Sequence, residues 1–189
     1  MSAESQSRRA FLAAAGTGLG AAWLAASPED IRAALVRETV PQLRALTPGQ
    51  AADIEAISAQ ILPTDELPGA REARVVNFVD RSLDSWARNQ KDQVLNGLAA
   101  FNDVVGRRYA GMQRFGQLGA EQQLEFLRAN EQHPFFQQMI ALTLIGTFAH
   151  PGWGGNYDKS GWRILGFEDR FLWQPPFGWY DARANGGPN

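Results

Sequence analysis

Residues 135–148 carry no charged side chain, and the sequence on either side is suited to start and stop a helix there. Pro134 stands just before the run, where a helix tolerates proline because a first-turn N–H lacks an intrahelical partner. His150-Pro151-Gly152-Trp153-Gly154-Gly155-Asn156 stands just after it, and three glycines and a proline in seven positions forbid continuation. A helix that is apolar nearly all round belongs at the centre of a packed domain. The expected fold is therefore all-α, a compact helical domain with an irregular, aromatic-rich C-terminal tail.

The segments that would cover this central helix read as helices too. Thr47-Pro48-Gly49-Gln50 has the pattern of an N-cap, a proline in the first turn and a capping-box glutamine. Ile54, Ile57 and Ile61 follow at helical spacing, and Pro63 ends the segment. Two prolines and a glycine make 63–71 a loop. An amphipathic helix over 72–88 buries Val75, Val76, Val79, Leu83 and Trp86, and its Asp80 and Asp84 read as a solvated face beside Arg81 and Arg88. A second over 91–109 buries Val94, Leu98, Phe101, Val104 and Val105. A third over 120–130 turns Leu124 and Leu127 inward. A short helix from Pro28 to about Arg37 completes the set, capped by Ser27. No stretch alternates with period two between hairpin turns, so no sheet is expected.

The region after the central helix differs in composition. Four of the six tryptophans lie between Trp153 and Trp179. Gly154 and Gly155 permit a sharp turn or a close backbone approach, and Asn156 is suited to close such a turn. Residues 162–167 fit one helical turn or a short extended piece, and 173–180 are too proline-rich for helix or central strand. Two readings of this loop stand side by side. In one, Trp153 packs back on the core; in the other, the loop docks a partner protein. For docking, the candidates are His150, Trp153, Gly154, Gly155, Asn156, Tyr157, Trp173, Trp179 and Tyr180, because aromatic side chains concentrate at interface centres.

The N-terminus reads as an address. Arg8 and Arg9, followed by Phe11 and Leu12, open an uncharged Ala- and Gly-rich stretch. That is the layout of a twin-arginine signal, too short for a confident membrane span. It predicts three parts: a signal segment over 1–27, a helical domain over 28–180 and a disordered C-terminus over 181–189. Ala25-Ala26-Ser27 is a poor cleavage site because Pro28 follows. The twin-arginine pathway carries folded proteins, whose usual cargo holds a cofactor or escorts a partner that does. Such a chain is expected in the periplasm.

Composition excludes much chemistry. A net charge of −2 gives no electrostatic footprint for nucleic acid. With no cysteine there are no disulfides, thiolate zinc sites, iron–sulfur clusters or covalent haem attachment. Only two histidines are present, His133 read as a cap before Pro134 and His150 as meeting the free carbonyls of the central helix. No nucleotide-binding or nucleophile motif appears, so no catalytic, cofactor or metal residue is assigned. The competing enzyme reading rests on Asp65 and Glu66 in the proline-flanked loop.

Several stretches together resemble one family, the small subunit of gluconate 2-dehydrogenase-type enzymes, often called subunit 3. The resemblance lies in the leader Ser7-Arg8-Arg9-Ala10-Phe11-Leu12, the loop Ile61-Leu62-Pro63-Thr64-Asp65-Glu66-Leu67-Pro68-Gly69-Ala70, and Val75-Val76-Asn77-Phe78-Val79-Asp80. Leu142-Thr143-Leu144-Ile145-Gly146, Pro151-Gly152-Trp153-Gly154-Gly155-Asn156 and Gly161-Trp162-Arg163-Ile164-Leu165-Gly166-Phe167 extend it. Trp153 departs from the tyrosine more usual there. The resemblance implies a non-catalytic subunit that binds no cofactor itself. It implies a large FAD-containing partner of the glucose-methanol-choline oxidoreductase type, oxidising a sugar, sugar acid or glycoside. It further implies that a cytochrome c subunit or a separate acceptor takes the electrons, and that the small subunit supplies the signal for the twin-arginine translocase and helps its partner fold.

Overall fold

A computed structural model describes residues 42–169, and the expected helix after Pro28, the leader and Trp173, Trp179 and Tyr180 lie outside them. Six α-helices and no strand occur among the described residues, as the apolar spacing predicts. α1 (Pro48–Ile61) begins with the expected capping box. The Thr47 hydroxyl accepts from the Gln50 N–H at 3.3 Å, and the Gln50 side-chain carbonyl accepts from the Thr47 N–H at 2.9 Å. Ala51, Ile54, Ile57 and Ser58 form its buried face.

The helix expected over 72–88 is shorter. α2 runs Val75–Asp84, followed by a turn and a 3₁₀ segment at Arg88–Gln90. One helical turn forms before it and breaks off at Arg74. There the Val75 N–H donates to the Ala70 carbonyl at 3.1 Å and the Arg74 N–H to the Arg71 carbonyl at 2.9 Å. These paired bonds make a Schellman motif, with Arg74 left-handed at φ 52° where glycine is usual. Periodicity cannot register such a break, because the apolar spacing continues through it. Val75, Phe78, Val79 and Leu83 bury one stripe of α2, while Val76 is half-buried.

α3 (Lys91–Arg108) buries Val94, Leu98, Phe101 and Val105, with Val104 half-buried. A 3₁₀ turn at Phe115–Gln117 leads to α4 (Ala120–Ala129). Leu124, expected inward, is 41% exposed; Phe126 takes the core position, its ring edge-on to Phe101 at 5.0 Å. α5 (Pro134–Phe148) is the apolar run, and it packs against α1, α2, α3 and the short α6 (Ser160–Leu165). His133 caps α5 as expected, its Nδ1 accepting from the Phe135 N–H at 3.2 Å.

Two buried carboxylates hold the layers together. Asp53 of α1 accepts from the Asn102 side chain and from the Gly116 N–H, both at 2.9 Å, and so ties α1 to α3 and the 3₁₀ turn. Asp80, expected on a solvated face, is only 2% exposed. Its carboxylate accepts the backbone N–H groups of Arg44, Ala45 and Leu46 at 2.9–3.1 Å. Three backbone donors satisfy a charge that would otherwise be costly to bury.

Candidate partner-facing surface

The loop after α5 is stitched to its own domain. His150 does not meet the helix carbonyls; it caps the next 3₁₀ turn (Pro151–Trp153), its Nδ1 accepting from the Gly152 N–H at 3.1 Å. Trp153 packs back on the core, its ring 5.8 Å from that of Trp86. Gly154 takes φ 105°, and a β-carbon there would crowd Arg81 and the Asn77 carbonyl. Gly155 lies flat against α5, where a β-carbon would overlap the Gly146 carbonyl.

Asn156 is wholly buried and left-handed at φ 44°. Its N–H donates to the Gly146 carbonyl at 2.7 Å and its Nδ2 to the Ala149 carbonyl at 2.8 Å, while its Oδ1 accepts from the Gly161 N–H at 2.8 Å. Trp162 Nε1 donates to the Phe148 carbonyl at 2.9 Å, fixing α6 to the end of α5. Gly154, Gly155 and Asn156 thus make close approaches within the chain, to α2 and α5.

Among the docking candidates, this framework turns Tyr157 outward. The Tyr157 N–H donates to the Ala73 carbonyl at 3.2 Å, which joins the loop to the turn before α2. The Tyr157 side chain is 50% exposed, and the Arg74 guanidinium carbon sits 3.4 Å from its ring centre, a cation–π contact. Arg74, Asn156, Asp158 and Lys159 all have positive φ, and they are the non-glycine residues in that state among those described. Strain of this kind costs about 1–3 kcal/mol per residue and collects at functional surfaces. Beside Tyr157 opens a cleft of about 300 Å³, walled by Arg44, Arg74, Arg81, Asn77 and Asp158. A shallower groove on the other side shares Arg74 and Tyr157 and adds Arg71 and Arg163. Sequence reasoning found Tyr157 but missed the arginines: Arg74 and Arg81 lie at the start of α2 and two turns into it, Arg44 is brought to them by the Asp80 bonds, and the Tyr157–Ala73 bond sets the loop beside them.

Asp65 and Glu66 are exposed and line neither groove. The Asp65 carboxylate closes its own turn, accepting from the Leu67 N–H at 2.9 Å. Glu72 organises that loop instead, accepting from the Thr64 hydroxyl at 2.6 Å and the Gly69 N–H at 2.7 Å. The Thr64 hydroxyl, with help from the Gly69 N–H, holds the Glu72 carboxyl below its ordinary range. Its position three residues after Gly69 is the readable signal, a carboxylate reaching back to the start of a turn.

No group of three His, Asp or Glu side chains able to hold a metal ion occurs among the described residues. No helix among them is long and apolar enough to cross a membrane. No curated protein and no solved structure matches the chain. The sequence model of the family described as gluconate 2-dehydrogenase subunit 3 does match, over residues 48–169, from the first residue of α1 to just past α6. With most of its length covered by that match, the chain belongs to the gluconate 2-dehydrogenase subunit 3 family.

Proposed function

We propose that this protein is the non-catalytic small subunit of an FAD-dependent dehydrogenase of the glucose-methanol-choline type, which it escorts through the twin-arginine pathway and stabilises in the periplasm. The family match carries the reading, since the family is one of dehydrogenase subunits. Two features support it. Arg8 and Arg9 stand before an uncharged stretch with Phe11 and Leu12 in the signal positions. The loop after α5 is pinned from beneath and presents Tyr157 outward, with Arg74 from the turn before α2 stacked on its ring; both residue types are enriched in the buried centres of interfaces. The partner then supplies the flavin and oxidises the CH–OH group of a sugar, sugar acid or glycoside, with a cytochrome c subunit or separate acceptor taking the electrons. A stand-alone enzyme built on Asp65 and Glu66 has no geometric support, because Asp65 closes its own turn.

Replacing both arginines, Arg8→Lys with Arg9→Lys, tests the escort role. Both this chain and the flavoprotein are expected to stay in the cytoplasm, read by fractionation and immunoblot. A flavoprotein that still reaches the periplasm removes the escort role.

A further inference from the structure

We propose that the shallow groove lined by Arg71, Arg74, Tyr157 and Ser160 binds a phosphate-type oxyanion. Such binding is a property of the chain by itself and goes beyond its reading as a subunit. Ser160 is 1% exposed and lines this groove of about 330 Å³ from beneath. Its hydroxyl is buried with no hydrogen-bond partner, and among the described residues it is the one side-chain polar atom in that state. Other buried hydroxyls are matched inside the chain. Thr147 donates to the Thr143 carbonyl, Thr143 to the Ser58 hydroxyl, and Ser82 to the Val79 carbonyl. A buried hydroxyl without a partner loses its hydration and gains nothing in return. An anion in the groove supplies the missing acceptor.

The charges of the groove favour an anion. Arg71 and Arg74 stand three residues apart on the turn before α2, and neither guanidinium makes a hydrogen bond or ion pair among the described residues. Arg71 acts on the neighbouring Glu72 through charge alone. Arg74 lies over the Tyr157 ring, and a guanidinium on a ring face keeps its in-plane N–H fork open. The two carboxylates in the groove are engaged inside the chain. Glu72 accepts from the Thr64 hydroxyl and the Gly69 N–H, and Asp158 pairs with Arg163 at 3.0 Å. Three guanidiniums against two carboxylates leave the groove net positive, with Arg71 and Arg74 in surplus. A carboxylate offers two oxygens in one plane. Two guanidinium forks with the hydroxyls of Tyr157 and Ser160 form a donor set for more oxygens than that, which a phosphate group provides.

The test titrates inorganic phosphate into the full-length chain, read by calorimetry and by melting temperature against sodium chloride of equal ionic strength. Phosphate is expected to raise the melting temperature where chloride does not. Arg71→Gln, on the exposed turn, should weaken binding by about tenfold. Arg74→Asn, a residue that tolerates left-handed backbone, should do the same. Ser160→Ala should weaken binding by about fivefold while leaving the melting temperature without phosphate the same or higher, since it removes the unpartnered hydroxyl. Arg128→Gln on α4, which lines neither groove, should bind as wild type. A second arm measures co-sedimentation with phosphatidylcholine vesicles, with and without phosphatidic acid. Response to free phosphate without vesicle retention identifies a soluble phosphate. Retention that needs phosphatidic acid and is lost with Arg71→Gln identifies a lipid headgroup. Either result supports the site. A wild-type chain that responds to phosphate no more than to chloride, and is not retained by phosphatidic acid, overturns it. Binding that survives Arg71→Gln, Arg74→Asn and Ser160→Ala unchanged overturns it as well.

Discussion

Gly155 and Gly146 meet backbone to backbone. The Gly146 carbonyl accepts the Asn156 N–H at 2.7 Å, and a β-carbon on Gly155 would overlap that same oxygen. Neither side of the contact is a flexible side chain, so nothing can move aside cheaply. Gly155→Ala is expected to destabilise the chain by about 3 kcal/mol, read by chemical denaturation. Gly106→Ala on the exposed side of α3 meets only ordinary contacts and should gain up to about 1 kcal/mol from helix propensity. Equal effects at the two positions would remove the close approach as a determinant of the loop.

Asp80 fixes the segment that enters α1. Asp80→Asn replaces a charged acceptor with a neutral one and turns an NH₂ group toward backbone donors, an expected loss of about 2 kcal/mol. Asp80→Ala should cost more, because three N–H groups lose their partner. Limited trypsin digestion gives an independent readout, since release of this segment should speed cleavage after Arg44. A neutral Asp80→Asn substitution would return the residue to the solvated face that its charge suggested.

Glu72 gives a pH signature. Its folded carboxyl is held below the ordinary 4.5, chiefly by the Thr64 hydroxyl and then by the Gly69 N–H. A depressed folded value means that the stabilisation is present above the unfolded pKa and is lost as pH falls through the folded one. The side chain is exposed, so solvent screening keeps the effect small. Carbon-13 titration should place Glu72 below the ordinary glutamate value, and Thr64→Val should raise it. Glu72→Gln should flatten part of the acid limb below about pH 4.5.

Trp153 is expected to act through stability. Half-buried against Trp86, it should cost about 2 kcal/mol when cut to alanine, with the loss visible in the isolated chain. The matching test is a double-mutant cycle with Trp86→Ala, whose coupling should be favourable by about 0.5–1.5 kcal/mol. Additive losses would show that the two rings pack independently.

Sequence alone determined the helical class, the central place of 134–148, the capping box at Thr47 and the helix stop before Gly152. Each depends on local rules: the period of apolar residues, the missing N–H of proline and the reach of a side chain to the next turn. Asp80 was half legible. Its charge suggested solvent, yet it lies four residues after Val76 and three before Leu83, on the apolar stripe itself. The tertiary structure decided in favour of burial because three N–H groups from 44–46 arrive from outside the helix to satisfy it. The break at Arg74 was not legible because the apolar spacing runs through it and arginine stands where glycine usually marks such a stop; the cleft beside Tyr157 was not legible because it joins residues distant in sequence. Spacing shows which face of a helix is apolar, but not which backbone carbonyl lies against Gly155 or which arginines gather around Tyr157.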